Sequence, residues 1–177
     1  DIVYILQICT LKGGTMLEDQ YPRAPYILQS GKYRGKSLEY VLLHDVSSFL
    51  AMKHRLEDVA QGHQPNAYHR HLVWLVTGIN ILAGNVTCRE CGKYAEYLPA
   101  RGNYREGLYF LSVPLCRQCA NQGEWERTLK FNILPWHICS LPLSKADRNK
   151  LWKAEKNILK INNMSGQQLF ELLVDIN

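Results

Sequence analysis

Four cysteines fall into two tight pairs, Cys88-Arg-Glu-Cys91 and Cys116-Arg-Gln-Cys119, with 24 residues between the pairs. A Cys-x-x-Cys pair brings two thiolates to one ion, and a second pair one hairpin later completes a tetrahedral shell. The chemistry predicted by this spacing is a structural Zn²⁺ site with Cys88, Cys91, Cys116 and Cys119 as ligands. Four sulfurs leave no open coordination position, so the site is expected to build structure rather than to activate water. A redox dithiol fits less well, since that chemistry uses a single pair between a strand and a helix. Thiolates around zinc carry excess negative charge, and Arg89, Lys93 and Arg117 stand beside the ligands to offset it.

Gly92 follows Cys91, as a tight knuckle requires. Between the pairs, Tyr94–Leu98 and Leu108–Val113 have strand composition about an Arg101-Gly102-Asn103 turn, and Ala120–Lys130 reads as a helix. Knuckle, hairpin, then a helix carrying the second pair is the order of a treble-clef finger; an extended segment after Cys119 would make a zinc ribbon. Metal-dependent nucleases on treble-clef scaffolds need histidines on the hairpin and helix, and Tyr94–Lys130 contains none. The nuclease reading therefore ranks behind the others. The six histidines, His44, His54, His63, His69, His71 and His137, lie elsewhere and read as solvated or core-edge residues. His69 and His71, two apart on a helix, point to different faces. Cys9 and Cys139 stand alone and read as core.

A second constellation is Gly31-Lys32-Tyr33-Arg34-Gly35-Lys36-Ser37. It approaches a phosphate-binding P-loop but has three residues, not four, between the first glycine and Gly-Lys-Ser. Leu172-Leu173-Val174-Asp175 falls in a helical stretch and cannot serve as the acidic magnesium strand. An ATPase is not expected. As a hairpin, Lys32, Arg34 and Lys36 alternate onto one face and Tyr33 points the other way. Three cations flanked by glycines suit a phosphodiester backbone, although charge on an exposed hairpin also guards a bare sheet edge.

Tyr26-Ile27-Leu28, this glycine-basic run through Leu38, and Asp45 followed by Phe49-Leu50 resemble the small C-terminal domain of exodeoxyribonuclease X-like proteins, over residues 26–56. Where that family commonly carries Trp after the aromatic-Leu pair, this chain has Ala51-Met52. The resemblance implies an auxiliary module attached to nucleic-acid enzymes. It carries no catalysis, because the exonuclease carboxylates belong to another domain.

Between Ser144 and Asn162, Lys145, Arg148, Lys150, Lys153, Lys156 and Lys160 face only Asp147 and Glu155. Lys153, Lys156 and Lys160 repeat at three and four residues, which predicts a basic stripe opposite an apolar face.

The elements that must position these residues follow from apolar spacing and caps. Asp1–Leu11 reads as a strand closed by Lys12-Gly13-Gly14, and Tyr26–Leu28 as the strand opening the hairpin. Ser37 caps a helix burying Leu38, Val41 and Leu42. Asp45 or Ser47 caps a second with Phe49, Met52, Leu56 and Val59, broken at Gln61–Pro65. A third runs from Asn66 to about Leu82 over Leu72, Leu75, Val76 and Ile79, ended by Gly84-Asn85. Pro135 and Pro142 punctuate a link to a helix from Ser144 to about Ile161, with Leu151, Ala154, Ile158 and Ile161 inward. Ser165-Gly-Gln-Gln168 has the capping-box pattern and starts a last helix through Leu169, Leu172 and Leu173.

The expected fold is α+β with more helix than strand: an N-terminal strand and linker (1–25), a hairpin-plus-helices unit (26–83), a four-cysteine zinc finger (84–134) and C-terminal helices (135–177). With 46% apolar residues the chain has enough for a real core, and no segment approaches the roughly 20 apolar residues of a membrane span. No basic region precedes an apolar run, so no secretory leader is expected. A start at Asp1 rather than Met suits a fragment. Thiols kept for metal predict an intracellular protein. The formal net charge of +5 is compatible with a polyanion partner. The function these features predict is a non-catalytic nucleic-acid-binding zinc module or accessory subunit, with DNA or RNA and other protein subunits as partners. Neither a membrane nor a small-molecule substrate is expected. Lys32, Arg34, Lys36, Arg89, Lys93, Arg117, Lys153, Lys156 and Lys160 would contact phosphates, and Tyr33, Tyr94 and Trp125 would stack on bases. The rival expectation is a zinc-stabilised protein-interaction scaffold.

Overall fold

The computed structural model describes residues 22–59, 66–103, 107–123, 127–130 and 143–176. The expected N-terminal strand and its turn, the break at 61–65, the link through Pro135 and Pro142, Cys9, Cys139, His63, His137 and Trp125 lie outside the described residues, as do the side chains of His54, Leu56 and Val59. In chain order the elements are α1 (Leu38–His44), α2 (Val46–Val59), α3 (Ala67–Gly84), β1 (Tyr97–Asn103), β2 (Gly107–Phe110), α4 (Arg117–Gln122), β3 (Arg127–Lys130), α5 (Lys145–Ile158) and α6 (Gly166–Ile176). The architecture is α+β, as expected.

The helices start where a side chain satisfies their free amides. The Ser37 hydroxyl accepts from the Tyr40 amide, Asp45 from Ser48, Asn66 from His69, and Ser144 from Asp147, at 3.0–3.1 Å. The capping box at α6 is reciprocal: Ser165 Oγ accepts the Gln168 amide at 3.2 Å, and Gln168 Oε1 accepts the Ser165 amide at 2.8 Å.

The helices bury the faces their spacing marks out. Leu38, Leu42, Phe49, Leu72, Leu75, Ile79, Leu169 and Leu173 have no exposure, and Leu98, Leu108, Leu151 and Trp152 join the same core. Each such side chain contributes about 1.5–3 kcal/mol by leaving water. α1 packs on α2 and α6, α2 on α5, and α3 on α6. The Trp152 indole N–H donates to the Leu42 carbonyl at 2.8 Å, tying α5 to the end of α1. Ile161, expected inside the last turn of α5, lies beyond the helix end at Ile158 but is fully buried.

The three strands form an antiparallel sheet in the order β2-β1-β3. Two expectations are corrected here. Arg101-Gly102-Asn103 is not the hairpin turn but the end of β1, paired with Tyr109, Leu108 and Gly107. Gly102 permits this: at φ +94°, a Cβ there would sit 2.5 Å from the Gly107 carbonyl oxygen. The expected helix 120–130 stops at Gln122, because Gly123 closes it onto the Cys119 carbonyl, and Arg127–Lys130 becomes the third strand. Pro99 accepts the Leu111 amide but has no N–H to return, and β2 accordingly ends at Phe110.

The expected hairpin at 26–37 forms: Ile27 bridges Ser37, and the amides of Leu28, Gly35 and Leu38 donate across it to the Lys36, Leu28 and Tyr26 carbonyls. Gly31 and Gly35 take positive φ, and Arg34 and Lys36 donate their amides to the Gly31 and Tyr33 carbonyls, so 31–36 is a chain of turns. The strand alternation assumed for Lys32, Arg34 and Lys36 does not apply to it.

Candidate metal centre and basic surface

The two cysteine pairs converge. The Sγ atoms of Cys88, Cys91, Cys116 and Cys119 all lie within 4.8 Å of one another, close enough to hold one metal ion. Cys91 and Cys116, from opposite pairs, are 3.6 Å apart. The first pair sits on a knuckle: the Thr87–Tyr94 bridge closes its base, the Cys88 amide donates to the Lys93 carbonyl, and Gly92 turns the chain at φ +72°. The second pair starts α4, where Cys116 is the N-cap and its sulfur accepts the Cys119 amide at 3.5 Å. Knuckle, hairpin, then a helix capped by the second pair is the treble-clef order.

The backbone is arranged to favour thiolates. Burial opposes ionisation of Cys88, but the amides of Cys116, Cys91 and Glu90 outweigh it and lower its pKa to about 6. The Cys119 amide likewise lowers Cys116. The neighbouring sulfurs of Cys116 and Cys91 push Cys119 up to about 12. Four sulfurs this close repel one another as anions, and a divalent cation removes that repulsion. Cys88 and Cys116 are buried, Cys119 half-buried and Cys91 exposed.

The buried core around the cysteines is small. It comprises Cys88, Ala95, Leu115, Cys116 and Ala120, so two of the five buried residues are candidate ligands. Leu115 is the largest apolar side chain among them.

Around the cluster, Arg89, Lys93, Tyr94 and Arg117 are all exposed. On the helical side the picture is mixed. Arg34, Lys36, Lys153 and Lys160 are exposed, with Lys36 Nζ 4.9 Å from the Tyr40 ring centroid. Lys32 is engaged: its ammonium lies 3.1 Å from Asp45 Oδ2, which also accepts the hydroxyl of the half-buried Tyr33. Lys156 departs from the expected basic stripe. It is half-buried, donates to the Leu43 carbonyl, and has its pKa lowered by burial and by Lys153. The end of α1 leaves that carbonyl without an intrahelical partner, and the lysine supplies one. Lys160 and two finger residues, Thr87 and Pro114, line one cleft of about 330 Å³, so the finger and the end of α5 do adjoin.

Two features were not anticipated. His71 is not at the core edge but 4% exposed, hydrogen-bonded to Glu39. Arg101 and Tyr109 stand side by side on the sheet; the apolar Leu108 next to a polar-tipped Tyr109 is the sequence signal for this face, and reading Arg101 as a turn residue conceals it.

Fold and site together define a four-thiol finger, with sulfurs close enough to hold one metal ion, built onto a helical body. No protein-family model, curated protein or solved structure matches the chain. Among the described residues no helix is long and apolar enough to cross a membrane.

Proposed function

We propose that this chain is a non-catalytic nucleic-acid-binding zinc module, or an accessory subunit of a nucleic-acid-processing complex. The observation that carries this reading is the placement of exposed Arg89, Lys93 and Arg117 beside the four thiols, on the knuckle and at the start of α4. An all-sulfur donor set of four suits Zn²⁺, and a closed shell gives the ion a structural role. The net charge of +5, the exposed Arg34, Lys36, Lys153 and Lys160, and the resemblance of residues 26–56 to a module of nucleic-acid enzymes point the same way. Lys32 and Lys156 contribute less, since each already has a partner.

Binding to generic single-stranded DNA, duplex DNA and RNA across a salt series tests the reading. A phosphate-contacting surface gives log K falling linearly with log salt, by about 0.7–0.9 per contact. Absence of binding at low salt overturns it in favour of the protein-interaction scaffold, the reading that the partnered Lys32 and Lys156 favour. DNA cleavage by the pure protein with a divalent metal would instead establish a nuclease.

A further inference from the structure

We propose that the outer face of the β1–β2 ladder is a base-stacking site for single-stranded nucleic acid, with Tyr109 as the platform and Arg101 and Lys150 as its flanking cations. The inference rests on the nucleic-acid reading above and deepens it. Tyr109 is 66% exposed, although it stands in a strand whose preceding residue, Leu108, is 1% exposed. Successive strand residues face opposite ways, so Leu108 anchors β2 to the core and commits Tyr109 to solvent. Arg101 pairs directly with Tyr109 across the ladder, which puts both side chains on one face. Arg101 is exposed and has no ion-pair partner among the described residues.

The third member comes from α5, which packs against the edge strand β2. Lys150 Nζ lies 5.2 Å from the Tyr109 ring centroid and 3.3 Å from Asp147 Oδ1. Asp147 is 5% exposed, and its carboxylate also accepts the Leu108 amide and the Ser144 hydroxyl. Its charge is thus turned into the fold while the lysine it holds is presented at the ring. Gly107 makes room: a Cβ there would lie 3.2 Å from Lys150 Nζ. A solvent-facing aromatic ring with a lysine over one face and an arginine beside it across the ladder complements a partner combining planar faces with anionic links. Single-stranded nucleic acid has both, and its bases stack on such rings with little sequence preference.

Fluorescence anisotropy with a labelled single-stranded oligonucleotide, and with an abasic strand of equal length, tests this on the full metal-loaded chain. Tyr109→Ala is expected to weaken the base-bearing strand by about 5- to 100-fold and leave the abasic strand unaffected. Tyr109→Phe, which keeps the ring, restores most of the affinity. Arg101→Gln lowers the salt slope by about 0.7. Unchanged melting confirms that each variant folds. If the unmodified chain binds both strands and Tyr109→Ala binds them equally well, the platform is wrong and the broader reading stands. If the unmodified chain binds neither strand, both readings fail.

Discussion

Nε2 of His71, on α3, donates to Oε1 of Glu39, on α1, across 2.5 Å, with both side chains withdrawn from water. The imidazole is boxed by rings: it stacks on Phe170 of α6 at 6.1 Å and meets Trp74 at 5.3 Å and Tyr26 at 5.9 Å. The polar contact registers α3 on α1, and the stacked Phe170 ring brings in α6. Removing one member of a buried pair strands the other without compensation. His71→Ala and Glu39→Ala are each expected to cost about 3–5 kcal/mol in urea unfolding. Glu39→Leu with His71→Phe recovers much of that. Single variants within about 0.5 kcal/mol of the parent would show that the pair does not organise the core.

Two carboxylates make stability depend on acid. Burial pushes Asp45 up, but hydrogen bonds from Tyr33, from the Ser48 amide and hydroxyl, and from Lys32 outweigh it and hold it below the usual range. Asp147 is lowered in the same way, with burial outweighed by the Ser144 hydroxyl, the Leu108 amide and Lys150. A carboxyl depressed in the folded state contributes stability above its unfolded pKa of about 3.9, lost as pH falls through the folded value. Stability should therefore decline from about pH 5 downward. Asp45→Asn with Asp147→Asn should lower stability at pH 7 and flatten that decline, read by melting temperature against pH.

Glu155 has the opposite sign. It is 3% exposed, its Oε2 has no hydrogen-bond partner among the described residues, and burial raises it well above the carboxylate range. A carboxyl raised in the folded state costs stability as pH climbs past its unfolded value of about 4.3. Glu155→Gln is accordingly expected to raise the melting temperature at pH 7 more than at pH 4. An equal shift at both would contradict the assignment.

Lys153 and Lys156 are three residues apart, but their surroundings separate their roles. Lys153 is exposed, whereas Lys156 caps the Leu43 carbonyl. Lys156→Ala should cost about 1.5–3 kcal/mol of stability, the net worth of a hydrogen bond from a charged group, and hardly alter the salt dependence of nucleic-acid binding. Lys153→Ala should do the reverse, lowering the salt slope by about 0.7–0.9. Paired melting and salt titration separate the two.

The parts legible in the sequence were those fixed by local chemistry. Ser37, Asn66, Ser144 and the Ser165/Gln168 box each act within one helical turn, and the structure starts a helix at each. The cysteine spacing likewise brings four sulfurs together. What was misread depends on contacts far along the chain. Arg127–Lys130 is a strand because β1 offers it an edge about 30 residues back along the chain. Lys156 leaves the basic stripe for a carbonyl 113 positions away, and His71 finds Glu39 at a separation of 32. Helical spacing marks which face a residue occupies but not what waits across from it.

The central claim is that one zinc ion, bound by Cys88, Cys91, Cys116 and Cys119, folds the finger. Metal content and thiol reactivity of the full chain, measured before and after a strong chelator, test it most directly. One zinc per chain with the four thiols protected is expected, and chelation should expose them and unfold the cysteine turns, while the helices keep most of their circular dichroism. The binding energy lost would be on the order of 10 kcal/mol. A chain that carries no metal, or whose four thiols stay protected and finger stays folded once metal is stripped, would contradict the account.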